Sequence, residues 1–99
     1  MDLEGWRGMS TSNCVVPSRD VVVKQLNGER VLLNMKSGYC YGLDQVGASV
    51  WEQLETGRTL DWLAGFVSGR FQVDPDLSMS DLLAFTNALQ DHGLVEVVR

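Results

Sequence analysis

The run Tyr39-Cys40-Tyr41-Gly42-Leu43-Asp44-Gln45-Val46-Gly47-Ala48-Ser49-Val50-Trp51 constrains this chain more than any other stretch. An aromatic, strand-like segment passes into an amphipathic helical pattern through a single aspartate. Asp44 is placed to cap that helix, its carboxylate accepting from first-turn N–H groups. A strand pinned directly to a helix divides the chain, with sheet before it and helices after it.

The sheet half is punctuated by turns. Residues 20–26 and 29–35 are β-branched or aliphatic runs joined by Asn27-Gly28, the strongest short hairpin signal. Ser37-Gly38 reads as a second two-residue turn, with Tyr39–Leu43 as a third strand. Lys36 would then face Tyr39, and Leu32 would face Leu43. One face of this meander carries Val21, Val23, Leu32, Tyr39, Tyr41 and Leu43; the other carries Val22, Val31, Leu33, Met35 and Cys40. Both are too apolar for a sheet with one wet side, so the tail, helices or a partner should cover the second.

Three helices are expected next. The first, about residues 45–55, buries Val46, Val50, Trp51 and Leu54 and stops at Gly57. Thr59 caps the second, whose core stripe is Leu60, Leu63, Ala64 and Val67, with Trp62 and Phe66 off the stripe. Residues 72–77, with Pro75, read as a turn. Ser78 or Ser80 caps the third helix, which ends at Gly93. Leu82, Phe85, Leu89 and His92 form one face of it, and Leu83, Thr86 and Gln90 an adjacent stripe that need not share the same core. Leu94–Val98 is a strand-like end that returns to the core. Residues 1–18 lack a period and read as a flexible tail before a domain of residues 19–99, although Leu3, Trp6 and Met9 would fit one side of a short helix.

Ninety-nine residues, 44% of them hydrophobic, suit one soluble domain with one core. Charge is uneven: residues 1–43 hold four acids and five bases, residues 44–99 nine acids and three bases. Such a surface repels phosphate, which disfavours nucleic acid and anionic membrane as partners. Cys14 and Cys40 are no disulfide framework, the N-terminus lacks a signal peptide, and no apolar segment approaches the roughly 20 residues that span a bilayer. A cytoplasmic protein is expected.

Chemistry-bearing residues are sparse. His92 is the only histidine and lies beside Gly93 near a helix end, where the helix dipole favours a partly buried imidazole. Cys40 reads as a small hydrophobe in a strand rather than a nucleophile. The two cysteines and one histidine lack the spacing that closes a metal site, Asp74 and Asp76 lack the glycine and glutamate of a calcium loop, and no glycine-rich phosphate loop follows a strand. No cofactor, metal or enzymatic activity is expected. A winged-helix DNA-binding regulator is the competing reading, but residues 79–92 contain no Lys or Arg and two Asp, the wrong charge for a recognition helix.

The third strand has no Lys, Pro or charge before Asp44. Native edges are normally blunted by such residues. An unblunted edge invites an incoming strand by β-augmentation, unless residues 1–18 or a second copy cover it.

Leu43 to Leu54, then Gly57-Arg58-Thr59-Leu60, Phe71-Gln72-Val73-Asp74, Asp81-Leu82-Leu83-Ala84-Phe85, Leu89 and Gly93-Leu94-Val95 together resemble the PqqD-like family of RiPP recognition elements, small domains that bind precursor-peptide leaders. The likeness covers about residues 20–97. Gly38–Leu43 and Val46-Gly47-Ala48 look most like the free-standing elements of lasso peptide clusters. The resemblance implies a winged-helix-like α+β fold, a three-stranded antiparallel meander followed by three helices. It also implies a leader added antiparallel to the third strand in a groove walled by the third helix. By position the peptide-binding residues are Tyr39, Cys40, Tyr41, Gly42 and Leu43 with Leu82, Leu83, Phe85, Thr86 and Leu89. Implied partners are the precursor's leader, a leader peptidase of cysteine-protease type and a cyclase; no catalytic residue is implied.

Overall fold

In a computed structural model of the chain, residues 13–98 are described. Six strands and three helices follow in the order β1 (Cys14–Pro17), β2 (Val21–Leu26), β3 (Glu29–Asn34), β4 (Cys40–Leu43), α1 (Gln45–Leu54), β5 (Arg58–Thr59), α2 (Leu60–Phe71), α3 (Pro75–Asp91) and β6 (Val95–Val98). The expected α+β, winged-helix-like meander followed by three helices is present as β2-β3-β4 and α1–α3. A second antiparallel sheet, in the order β5-β1-β6, is added to it.

Asn27 and Gly28 both take positive φ, 53° and 82°, as a two-residue hairpin turn demands, and Leu26 pairs with Glu29. The next connection differs from the expected two-residue turn. Leu32 pairs with Tyr41 and Leu33 with Cys40, because four residues, Met35 to Gly38, intervene between Asn34 and Tyr39. The Asn34 carboxamide oxygen accepts from the Lys36 and Ser37 amides, and Gly38 adopts φ 79°, so the side chain winds a wider loop. Since the register moves by two residues, each side chain keeps its expected face. Leu32 and Leu43 are buried inward, while Val22, Met35, Cys40 and Gly42 are exposed outward.

The segment expected as a tail contains β1. Val15 is fully buried between Arg58 and Val97 of the flanking strands. Residues 1–12, with the Leu3-Trp6-Met9 stripe, lie outside the described residues.

Capping fixes the helices. The Asp44 carboxylate accepts from Gly47 N at 2.7 Å, and Thr59 Oγ1 from Trp62 N at 3.1 Å. The third helix starts earlier than Ser78 or Ser80, with Asp74 as its cap and Pro75 as its first residue. Proline suits that position, because its missing N–H would have no helical partner there. Ser78 is buried instead and donates to the Ala64 carbonyl, tying α3 to α2. At the far end Gly93, at φ 68°, lets Leu94 N reach Leu89 O at 2.9 Å, a Schellman stop.

One core joins both sheets and all helices, with Trp51, Leu54, Leu60, Leu63, Leu89 and Leu94 among its most buried members. Trp62 stays off it, 40% exposed, stacked on Phe66 and beneath the Arg58 guanidinium.

Candidate functional site

The meander has two edges, β2 and β4, each of which pairs among the described strands only with β3, and β4 is the one that carries no charged residue. Asn34 N donates to Tyr39 O, so Tyr39 points its polar backbone inward. Antiparallel pairing alternates, and the same is therefore true of Tyr41 and Leu43. Cys40 and Gly42 direct their N–H and C=O groups outward. Both residues are exposed, and a Cβ on Gly42 would meet nothing within 4 Å.

Helix α3 walls this edge. Tyr41 meets Phe85 edge-on at 6.3 Å between centroids, and Tyr39 lies flat on the His92 imidazole at 3.7 Å and 7°. Phe85 and His92 are seven residues, two helical turns, apart on one stripe, and Ala88, half-buried, falls between them. Along the wall, β4 and α3 touch through rings rather than through charges.

Beyond the end of β4, α1 approaches α3 closely. A Cβ on Gly47 would meet Phe85 at 3.5 Å and Leu43 at 3.4 Å in ordinary contact, and would crowd only the capping Asp44 Oδ1, at 3.1 Å. Beside it opens an apolar cleft of about 140 Å³, lined by Val46, Val50, Val67, Phe71, Leu82 and Phe85 with Asp81 also contributing. Val46 is 39% exposed.

The residues expected to bind peptide fall into two groups. Cys40, Tyr41, Gly42 and Leu43 lie together on the edge strand with Tyr39 just before it, and Phe85 meets Tyr41. Leu82, Leu83, Thr86 and Leu89 are all at most 7% exposed. Thr86 donates its hydroxyl to the Leu82 and Leu83 carbonyls. Leu83, expected on a partly exposed stripe, shares the core with Leu82, because Val15 and Val95 of the second sheet, with Leu94 just before β6, enlarge that core enough to cover both stripes. Residue spacing also marks Ala88 and His92 as wall positions, at three and seven residues beyond Phe85.

Among the described residues no group of three or more His, Cys, Asp and Glu side chains gathers to hold a metal, and no helix is long and apolar enough to cross a membrane.

An open antiparallel edge set against a helix, in a winged-helix-like α+β domain, is the architecture of a RiPP recognition element. A family profile described as coenzyme PQQ synthesis protein D (PqqD) matches residues 29–95, and the chain belongs to the PqqD family. Domains of this family are non-catalytic binding modules. Among solved structures, TbiB1 in complex with the TbiA(beta) leader peptide is 32% identical, with a TM-score of 0.75 over 82% of this chain and 94% of that one. A lasso peptide synthetase B1 complexed with its leader peptide is 22% identical, TM-score 0.75, over 83% and 96% of the two chains. The PqqD truncation of Methylobacterium extorquens PqqCD, described as a functional, stand-alone RiPP recognition element, is 19% identical, TM-score 0.74, over 92% and 97%. No curated protein sequence matches the chain.

Proposed function

We propose that this chain captures the leader segment of a ribosomal precursor peptide by adding it as a strand to β4, and presents it to processing enzymes. The observation that carries this reading is the uncharged β4 edge, whose outward backbone groups at Cys40 and Gly42 stand beside the aromatic wall of α3. Main-chain bonds at those two residues give affinity, and side chains packing on Tyr41, Phe85 and the cleft near Val46 give register. Tyr39, Leu43, Leu82, Leu83, Thr86 and Leu89 complete the proposed site, the buried four by shaping α3 from beneath. TbiB1, seen with a leader peptide, supports the same use of this fold here.

Lasso peptide biosynthesis is the pathway class we favour, with a leader peptidase of cysteine-protease type and a cyclase as recipients of the captured leader. The test is a titration of fluorescein-labelled TbiA(beta) leader followed by anisotropy. Saturable binding that a scrambled peptide of equal composition does not reproduce is expected. Equal binding of the scrambled peptide, or none of either, would refute capture. A precursor, peptidase and cyclase encoded beside this chain would support the lasso assignment, and their absence would count against it.

A further inference from the structure

Asn34 stands at the point where three parts of the site meet. It is only 7% exposed, and every polar group it carries is used. Its backbone N–H donates to Tyr39 O at 2.9 Å, and its carbonyl accepts from Gly38 N at 2.7 Å. Its side-chain Oδ1 accepts from Lys36 N at 2.9 Å and Ser37 N at 3.1 Å. Nδ2 donates to His92 O at 2.8 Å and to Gly93 O at 3.4 Å. Two amides on one side and two carbonyls on the other leave a single orientation for the carboxamide.

The two carbonyls lie at the α3 terminus, beyond the helical hydrogen bonds, where a partner must come from elsewhere in the fold. Asn34 supplies it from 58 residues away in sequence. Gly93 is fitted to the same contact: a Cβ there would stand 2.9 Å from Nδ2, and its φ of 68° disfavours any side chain. Around this anchor the other β4–α3 contacts are ring against ring, Tyr39 on His92 and Tyr41 on Phe85. Stacked rings slide at small cost, whereas directed hydrogen bonds fix a distance.

We infer that Asn34 is a positioning residue for peptide capture: without touching the peptide, it ties the end of α3 to the β3–β4 loop and sets the spacing between the β4 edge and its helical wall. The inference rests on the capture reading above. A strand added to β4 stands about 4.8 Å outside it. A wall free to drift by an ångström would forfeit much of its contact with that strand. Asn34→Asp separates the two roles of the side chain, because a carboxylate still accepts from Lys36 N and Ser37 N but repels the His92 and Gly93 carbonyls. Asn34→Ser is the second variant, since its hydroxyl can serve the loop amides but is too short to span to α3.

The experiment titrates labelled TbiA(beta) leader against wild type, Asn34→Asp, Asn34→Ser and Val15→Ala, at a temperature where melts show each variant folded. Val15→Ala weakens the core within the other sheet and controls for general loss of stability. At least ten-fold weaker binding by either Asn34 variant, with Val15→Ala within two-fold of wild type, is expected. Binding within two-fold of wild type by folded Asn34 variants would overturn the inference while leaving capture intact, as would an equal loss in Val15→Ala. Absence of capture by wild type would instead remove the capture reading, and the inference with it.

Discussion

Replacing Gly42 by proline removes one backbone donor and leaves the pairing of β4 with β3 complete. Gly42 sits opposite Val31 at a position whose N–H points away from β3, and no atom lies within 4 Å of where its Cβ would stand. Proline is tolerated at such a place on an edge strand. What disappears is the N–H offered to an incoming strand. One net hydrogen bond contributes about 0.5 to 1.5 kcal/mol, and a peptide carbonyl left facing the proline ring loses about 1 to 3 kcal/mol of solvation. Because the carbonyl is left unpaired, the second figure applies in place of the first, and a loss of about 1 to 3 kcal/mol corresponds to leader affinity weaker by about 5- to 150-fold. Gly42→Ala is the matched control, because it keeps the N–H and adds a methyl group in open space. Anisotropy titrations with labelled leader, paired with circular dichroism melts, measure both quantities. A Gly42→Pro protein that melts like Gly42→Ala and binds leader equally well would refute strand addition at this edge.

Leu83→Ala should destabilise the fold by about 2 to 5 kcal/mol, in the range of Leu82→Ala and Leu89→Ala, since all three are buried in one core; denaturant titration of the three variants checks it. Asp44→Ala removes the acceptor for Gly47 N and should cost about 1 kcal/mol in the same assay. Leader affinity should change by less than about three-fold between 50 and 200 mM salt, because the proposed contacts are main-chain and apolar; a steep salt slope would indicate ion pairing instead.

The local signals in this sequence were legible because each is decided by neighbours along the chain. Asn27-Gly28 specifies its turn, Asp44 and Thr59 cap the helices that follow them, and Gly93 ends α3. Two misreadings were also local. Pro75 begins a helix as well as it breaks one, and the cap lies with Asp74; Asn34 widens a loop that Ser37-Gly38 alone would close. The remainder depended on partners distant in sequence. Cys14–Pro17 is four residues long, and its strand character comes from Arg58-Thr59 and Val95–Val98, which no periodicity near residue 14 reveals. Leu83 followed from the same omission, because the second sheet supplies the surface that covers its stripe. The edge strand itself was readable, since an uncharged aromatic run ending in a helix cap is a local pattern. His92 and Ala88 as wall positions required knowing which side of α3 faces β4.

The strand β1 fills, within one molecule, the kind of vacancy that β4 leaves open at its outer edge. It lies between β5 and β6 and brings Val15 into the centre of the core. A unit that keeps β1 therefore has to include Cys14–Pro17, although the hairpin and helices alone suggest a start at residue 19. A fragment cut at residue 19 keeps every residue of the β4–α3 site but carries a slot lined by unpaired backbone and sized for a four-residue strand. Such a fragment should recruit strands from its own copies and lose solubility, and a synthetic peptide of residues 13–18 added in trans should restore it.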